Sequence, residues 1–275
     1  MALVLRDVNH NGLLMERFFD IVGVENTLAV TLKDAISDIP VRFDLSIQNL
    51  RGQGYDGVSY MRGEWNGLQA LFLKDCPFAY YIHCLAHQLQ LALVAAAKDE
   101  PNIWQFFSHL TCIVNLVASS PKHLGELESF QRDEIARMLS TGEHQSGKGA
   151  NLIGTLHRAG ATRWSSHYDS VRNLIDMYTA SCKVVENLRK GGQNQEIRGQ
   201  ASGVYKAMRS FEFLFILHLM DNIMGFTNVL CQTLQRKSQD ILNVLKLVPT
   251  TKTLLQKFRQ DDWDIFLANV VSFCN

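Results

Sequence analysis

The chain has no surplus of charge, since Lys plus Arg and Asp plus Glu each number 27 in 275 residues. A free-standing nucleic-acid-binding domain usually carries a positive field that concentrates phosphate around it. Any contact with nucleic acid must therefore be local or supplied by a partner. Proline is scarce, at five, and hydrophobic residues make up 47% against 20% charged. A chain of that composition can bury enough apolar surface to fold rather than stay disordered. The six cysteines (Cys76, Cys84, Cys112, Cys182, Cys231 and Cys274) include no Cys-x-x-Cys pair. Their scatter argues for reduced thiols in an intracellular protein and against a disulfide framework. No charged-then-apolar leader follows Met1, and no apolar run approaches the roughly 18 residues a membrane span needs. Export and a membrane partner are not expected.

What is present divides into two kinds of pattern. Residues 2–8 and 13–24 read as strands around Asn11-Gly12, a pair suited to a hairpin. Thr27 caps a helix over 27–39 with Leu28, Leu32, Ala35 and Ile36 on one face, and Pro40 ends it. A strand over 45–50 leads to the Asp56-Gly57 turn. A helix from near Met61 to Lys74 then places Trp65, Leu68, Leu71 and Phe72 together, before a strand over 79–83 and a helix over 84–98. Beyond Pro101 only the helical period recurs, over 103–118, 124–139, 166–188, 203–234 and 238–258, with glycine-rich loops at 141–149 and 189–199. The expected fold is α/β followed by all-α, with a domain over 1–100 and a helical one over 101–275.

Three places carry chemistry. Asp56 follows a strand and precedes glycine, where a short carboxylate can reach a divalent ion while the backbone stays clear of a substrate. The same position suits a turn residue that caps the next helix, and one monodentate Asp cannot hold magnesium against its hydration shell. Asp7 and Asp20 lie on the early strands with no motif around them and read as solvated. Cys84 and His87, three apart, share a helix face, and His83 with His87 has zinc-chelating spacing. A zinc protease needs Glu where Cys84 stands, and no second Cys/His cluster completes a tetrahedral site, so His87 reads as a hydrogen-bonding residue at a helix junction. In Thr162-Arg163-Trp164-Ser165-Ser166-His167-Tyr168, Arg163 can meet phosphate and Trp164 can stack on an unpaired base, or Trp164 can simply anchor a helix start.

The run Arg51-Gly52-Gln53-Gly54-Tyr55-Asp56-Gly57, continuing through Gly63, together with Cys84-Leu85-Ala86-His87 and Thr162-Arg163-Trp164, resembles in order and spacing the hAT (hobo/Activator) transposases. The branch is that of the TTF-type and MYM-type zinc-finger proteins. The resemblance implies an RNase H-like catalytic fold interrupted by a helical insertion, whose Asp-Asp-Glu triad binds magnesium and cuts and joins DNA. Asp56 matches the second acid, Cys84 and His87 the family's Cys-x-x-His pair, and Trp164 the insertion tryptophan that holds a flipped base at the cut. Tyr60 stands where the family usually has Asn.

The family's first acid precedes a strand like 2–8, its third follows the insertion, and its zinc finger lies upstream. The resemblance therefore implies one acid of three. The expectation is a truncated RNase H-like mixed sheet with a large, incomplete helical insertion, catalytically inactive and nuclear, with no cofactor as it stands and magnesium in the intact family. Its partners would be DNA or a related full-length transposase-like protein. Rival readings are a piece of a longer competent transposase and a protein-interaction module. An unpaired sheet edge and exposed apolar faces also predict marginal stability.

Overall fold

The computed structural model describes residues 1–57, 59–118, 120–141, 156, 164–236 and 241–274. It forms two compact units, Met1–Ala92 with Cys231–Val244, and Leu93–Leu230 with Leu245–Asn275.

The first unit opens with the expected hairpin, β1 (Ala2–Val8) antiparallel to β2 (Leu14–Ile21). Its turn is made by Asn9, whose Oδ1 accepts from the backbone N–H of Asn11 at 3.0 Å and of Leu13 at 2.9 Å, and by Gly12 at φ +77°. Only glycine takes that φ cheaply. Cross-strand ion pairs Arg6–Glu16 and Arg17–Asp7 fix the register, and Asp20 reaches Arg42 at 3.2 Å. Asp7 and Asp20 are thus ion-paired rather than merely solvated.

Helix α1 spans Ala29–Val41. Thr27 does not cap it: the helix has no side-chain cap, and Asn26 Oδ1 instead accepts from Leu28 N–H one turn earlier. Leu28 is exposed, while Leu32 and Ile39 are buried. Pro40 sits inside the last turn and stops the helix one residue later, its carbonyl accepting from the Phe43 and Leu45 N–H groups.

The strand expected over 45–50 is displaced. Ile47–Asn49 is a 3-10 turn, with Ser46 Oγ accepting from Gln48 N–H, and the strand is β3 (Gly52–Tyr55). Ile47 and Leu50, three apart, both face the small core of Leu32, Leu68 and Phe72, which a strand's alternation would not allow. Strand β4 (Tyr80–His83) runs parallel to β3. The described strands thus form two separate two-stranded sheets, where a single mixed sheet is expected from the sequence.

The helix expected from Met61 to Lys74 is broken into α2 (Ser59–Arg62) and α3 (Leu68–Asp75). Gly63 and Gly67 are the cause. The Gly67 N–H donates to the Gly63 carbonyl, and a Cβ on Gly67 would fall 2.3 Å from Gly63 N. Trp65, in the break, is 83% exposed instead of joining the core. Helix α4 spans Leu85–Lys98.

The second unit is helical: α5 (Pro101–Val117), α6 (Pro121–Thr141), α7 (Trp164–Asp176), α8 (Tyr178–Gly191), α9 (Gln195–Met208), α10 (Phe211–Leu234), α11 (Ile241–Gln260) and α12 (Trp263–Cys274). The helix expected over 166–188 is interrupted at Met177, and the one over 203–234 at Arg209-Ser210, where Ser210 Oγ accepts from Phe213 N–H. The glycine-rich loop over 189–199 shrinks to a short turn, because Asn194 Oδ1 accepts from Ile197 N–H at 2.8 Å and starts α9 at once. The loop at 141–149 lies, beyond Thr141, outside the described residues.

Phe106, Ile113, Val117, Leu174, Met177, Val184, Met208, Leu217 and Met224 form the main core, and Phe258, Phe266 and Val270 a satellite cluster. Helix α10 corrects one expectation, for it is long and apolar enough by length and composition to cross a membrane. Its Leu214, Leu217, Met220 and Met224 are buried in the core instead.

Candidate functional site

Register decides which side chains meet near Asp56. Pairing β3 with β4 in parallel sets Gln53 opposite Tyr81 and Tyr55 opposite His83 on one face, with Gly52, Tyr80, Gly54 and Ile82 on the other. The first face is a polar-aromatic ladder. The Tyr55 hydroxyl donates to Gln53 Oε1 at 2.7 Å, and Gln53 Nε2 donates to the Ala79 and Gln69 carbonyls at 2.8 and 3.1 Å. Tyr55 and Tyr81 rings lie 4.9 Å apart. Burial, with Tyr81 beside it, holds the Tyr55 hydroxyl far above the ordinary phenol range. These tyrosines bind as neutral donors at any physiological pH.

Asp56 comes directly after β3, at the carboxyl end of the strand, as the sequence predicts. Its carboxylate is exposed and makes no hydrogen bond or ion pair among the described residues, so it does not cap the next helix. Its backbone carbonyl accepts from the Tyr81 hydroxyl at 3.2 Å, which ties the turn to β4. The Cys84 N–H donates to the Tyr55 carbonyl at 3.1 Å and extends the parallel ladder to the start of α4.

Cys84 precedes α4 rather than lying in it, and its carbonyl accepts from Gln88 N–H. His83 belongs to β4, so His83 and His87 are not an i,i+4 pair on one helix. Their rings still meet, with centroids 5.6 Å apart. The His87 side chain makes no hydrogen bond among the described residues, contrary to the expected helix-junction role. His83 Nε2 is buried and has no hydrogen-bond partner among the described residues. Burial lowers the His83 pKa, the neighbouring His87 and Arg62 lower it further, and Asp56 opposes them. Gly57 is pressed on this ring, since a Cβ there would fall 2.3 Å from His83 Cε1.

The structure thus brings Asp56, His83, Cys84 and His87 to one end of the β3–β4 pair. Arg163 lies outside the described residues. Trp164 opens α7, but its side chain lies outside them too, and these are the two residues expected to meet nucleic acid. Among the described residues no group of three or more His, Cys, Asp and Glu could hold a metal ion. Magnesium held by Asp56 would need carboxylates that these residues do not bring to it. Sequence reasoning missed Gln53, Tyr55 and Tyr81, because a strand placed over 45–50 hides the alternation of β3 that faces them toward β4.

Residues 1–67, which include Asp56, match the family DUF4371, described as the ZMYM1/FAM200 RNase-like domain. Over 246 residues the chain is 21% identical to the human "52 kDa repressor of the inhibitor of the protein kinase", covering 88% of this chain and 30% of that protein. The mouse protein of the same name is 22% identical over 247 residues, covering 88% of this chain and 31% of its own length. The chain spans under a third of the curated relatives it matches. No solved structure matches. An RNase-like segment that leads into a predominantly helical region, with likeness to these relatives across most of the chain, supports a transposase-derived origin.

Proposed function

We propose that this is a domesticated hAT-type transposase-like protein that acts by binding, in the nucleus, and not by cutting DNA. The observation that carries the reading is Asp56. It follows directly on β3, where the family resemblance would put a catalytic acid, yet among the described residues it is a single exposed carboxylate with no metal-holding cluster around it. Two-metal cleavage needs converging carboxylates that clamp both the attacking and the leaving oxygen. The word repressor in the name of the human and mouse relatives supports a role in binding over one in cleavage. Magnesium-dependent nicking of plasmid DNA, compared with Asp56→Asn, tests it: no cleavage by either protein is expected, and cleavage abolished by the substitution would overturn it.

A second reading takes support from the curated relatives being more than three times as long as the stretch they share with this chain. In a longer polypeptide, or beside a full-length partner, other acids would join Asp56 and restore magnesium chemistry. Arg163 and Trp164 would then meet the DNA backbone and an unstacked base.

A further inference from the structure

We propose that a cleft in the helical unit binds a small apolar zwitterion of the α-amino-acid class. The cleft holds about 280 Å³ between α5, α9 and the start of α10. All three segments belong to the second compact unit. Pockets for drug-sized ligands run from roughly 300 to 1,000 Å³, so this one suits a molecule the size of a single amino acid better than a nucleotide.

The floor is apolar. Phe106, Phe213 and Ile216 line it while being 2%, 4% and 7% exposed. The Phe106 and Phe213 rings lie 5.2 Å apart, and the His109 ring stands 6.4 Å from Phe213 at the edge of the cleft. The space above this floor comes from α9, which presents Gly203 and Ala207, four residues apart and so on one helix face. A Cβ on Gly203 would meet nothing within 4 Å. A long side chain at that position has room to fill the cleft.

The rim carries both signs of charge. Lys206 and Glu212 line the same cleft, yet neither side chain forms an ion pair or hydrogen bond among the described residues. The Asn102 and Gln105 amides beside them are likewise unpartnered among those residues. Ser210 is different: its Oγ donates to the Ala207 carbonyl at 2.7 Å and accepts from the Phe213 N–H at 3.2 Å, which closes the α9–α10 turn.

This lining selects its ligand by charge. A simple anion would be drawn to Lys206 and repelled by Glu212, and a simple cation the reverse. A carboxylate and an ammonium on one short body use both groups through charge-assisted hydrogen bonds. An aromatic or aliphatic side chain on that body covers the Phe106 and Phe213 edges, which an aromatic ring meets edge-on or offset. The cleft shares no residue with the Asp56 end of the β3–β4 pair, so either result of a nicking assay leaves it standing.

The test is isothermal titration calorimetry of the full chain with L-phenylalanine, with hydrocinnamate, which lacks the ammonium, and with phenethylamine, which lacks the carboxylate. L-phenylalanine is expected to bind saturably, and each analogue about tenfold or more weakly than it. Lys206→Gln should erase the advantage over phenethylamine, and Glu212→Gln the advantage over hydrocinnamate. Both side chains are exposed, so these variants should keep the parent circular-dichroism spectrum. Gly203→Leu should abolish binding with no loss of melting temperature, since leucine favours a helix over glycine. No saturable binding of L-phenylalanine, equal binding of the three compounds, a preference that survives both glutamine variants, or full binding by Gly203→Leu would overturn the proposal.

Discussion

At the scale of single residues, the buried titratable groups set opposite pH dependences. His83, His167 and His218 are all held by burial below the usual histidine range, with His87 and Arg62 adding to the effect at His83. The unfolded chain then takes up protons first, near pH ~6.5, so native stability must fall as pH drops through about 6.5 and below. Thermal melts at stepwise lower pH should show a falling midpoint, with a shallower fall in His83→Gln. A flat profile would contradict the burial of these rings. Asp221 has the reverse sign. Desolvation raises its pKa against the pull of Arg172, and its Oδ1 is buried without a partner among the described residues. The native state binds the extra proton, so a cost appears as pH rises through the raised pKa. Asp221→Asn should therefore raise the midpoint at neutral pH, on the order of 1 kcal/mol for a buried unsatisfied group, with the gain shrinking in acid.

At the scale of elements, glycine and asparagine mark the positions where sequence pattern and structure part or agree. The hairpin is legible because Asn9, Asn11 and Gly12 supply local turn chemistry that no tertiary contact has to provide. The break between α2 and α3 is not. Trp65, Leu68, Leu71 and Phe72 keep a helical period, and the interruption comes from a close backbone approach of Gly67 to Gly63 that periodicity does not report. Gly67→Ala should cost about 2 kcal/mol or more, since backbone rather than a movable side chain stands in the way. An unchanged midpoint would mean the two segments can join. The shift of β3 from 45–50 to Gly52–Tyr55 has a similar origin, because two glycines lower strand propensity and only pairing with β4 fixes them there. Asn194→Ala should cost about 1 kcal/mol through loss of the α9 cap, measurable by urea denaturation.

At the scale of the whole molecule, the division into a sheet-bearing start and a helical remainder follows from the change of period near Pro101, and that much is readable from one sequence. The candidate site is only half readable. Asp56, Cys84 and His87 stand out by type and spacing, whereas the Gln53–Tyr55–Tyr81 ladder exists only once the parallel register is known. The two small sheets also leave apolar faces open: Val4 lies opposite Phe18 and Val8 opposite Leu14, all exposed. Replacing Val4 and Phe18 with threonine should raise the soluble yield while shifting stability by no more than about 0.5 kcal/mol, as for surface positions.

The central claim is that Asp56 marks descent from a transposase without sustaining its chemistry. Magnesium-dependent nicking of supercoiled plasmid by the purified chain tests this most directly. The account predicts no nicking above background from either the chain or Asp56→Asn. Nicking that requires magnesium and disappears with Asp56→Asn would contradict it.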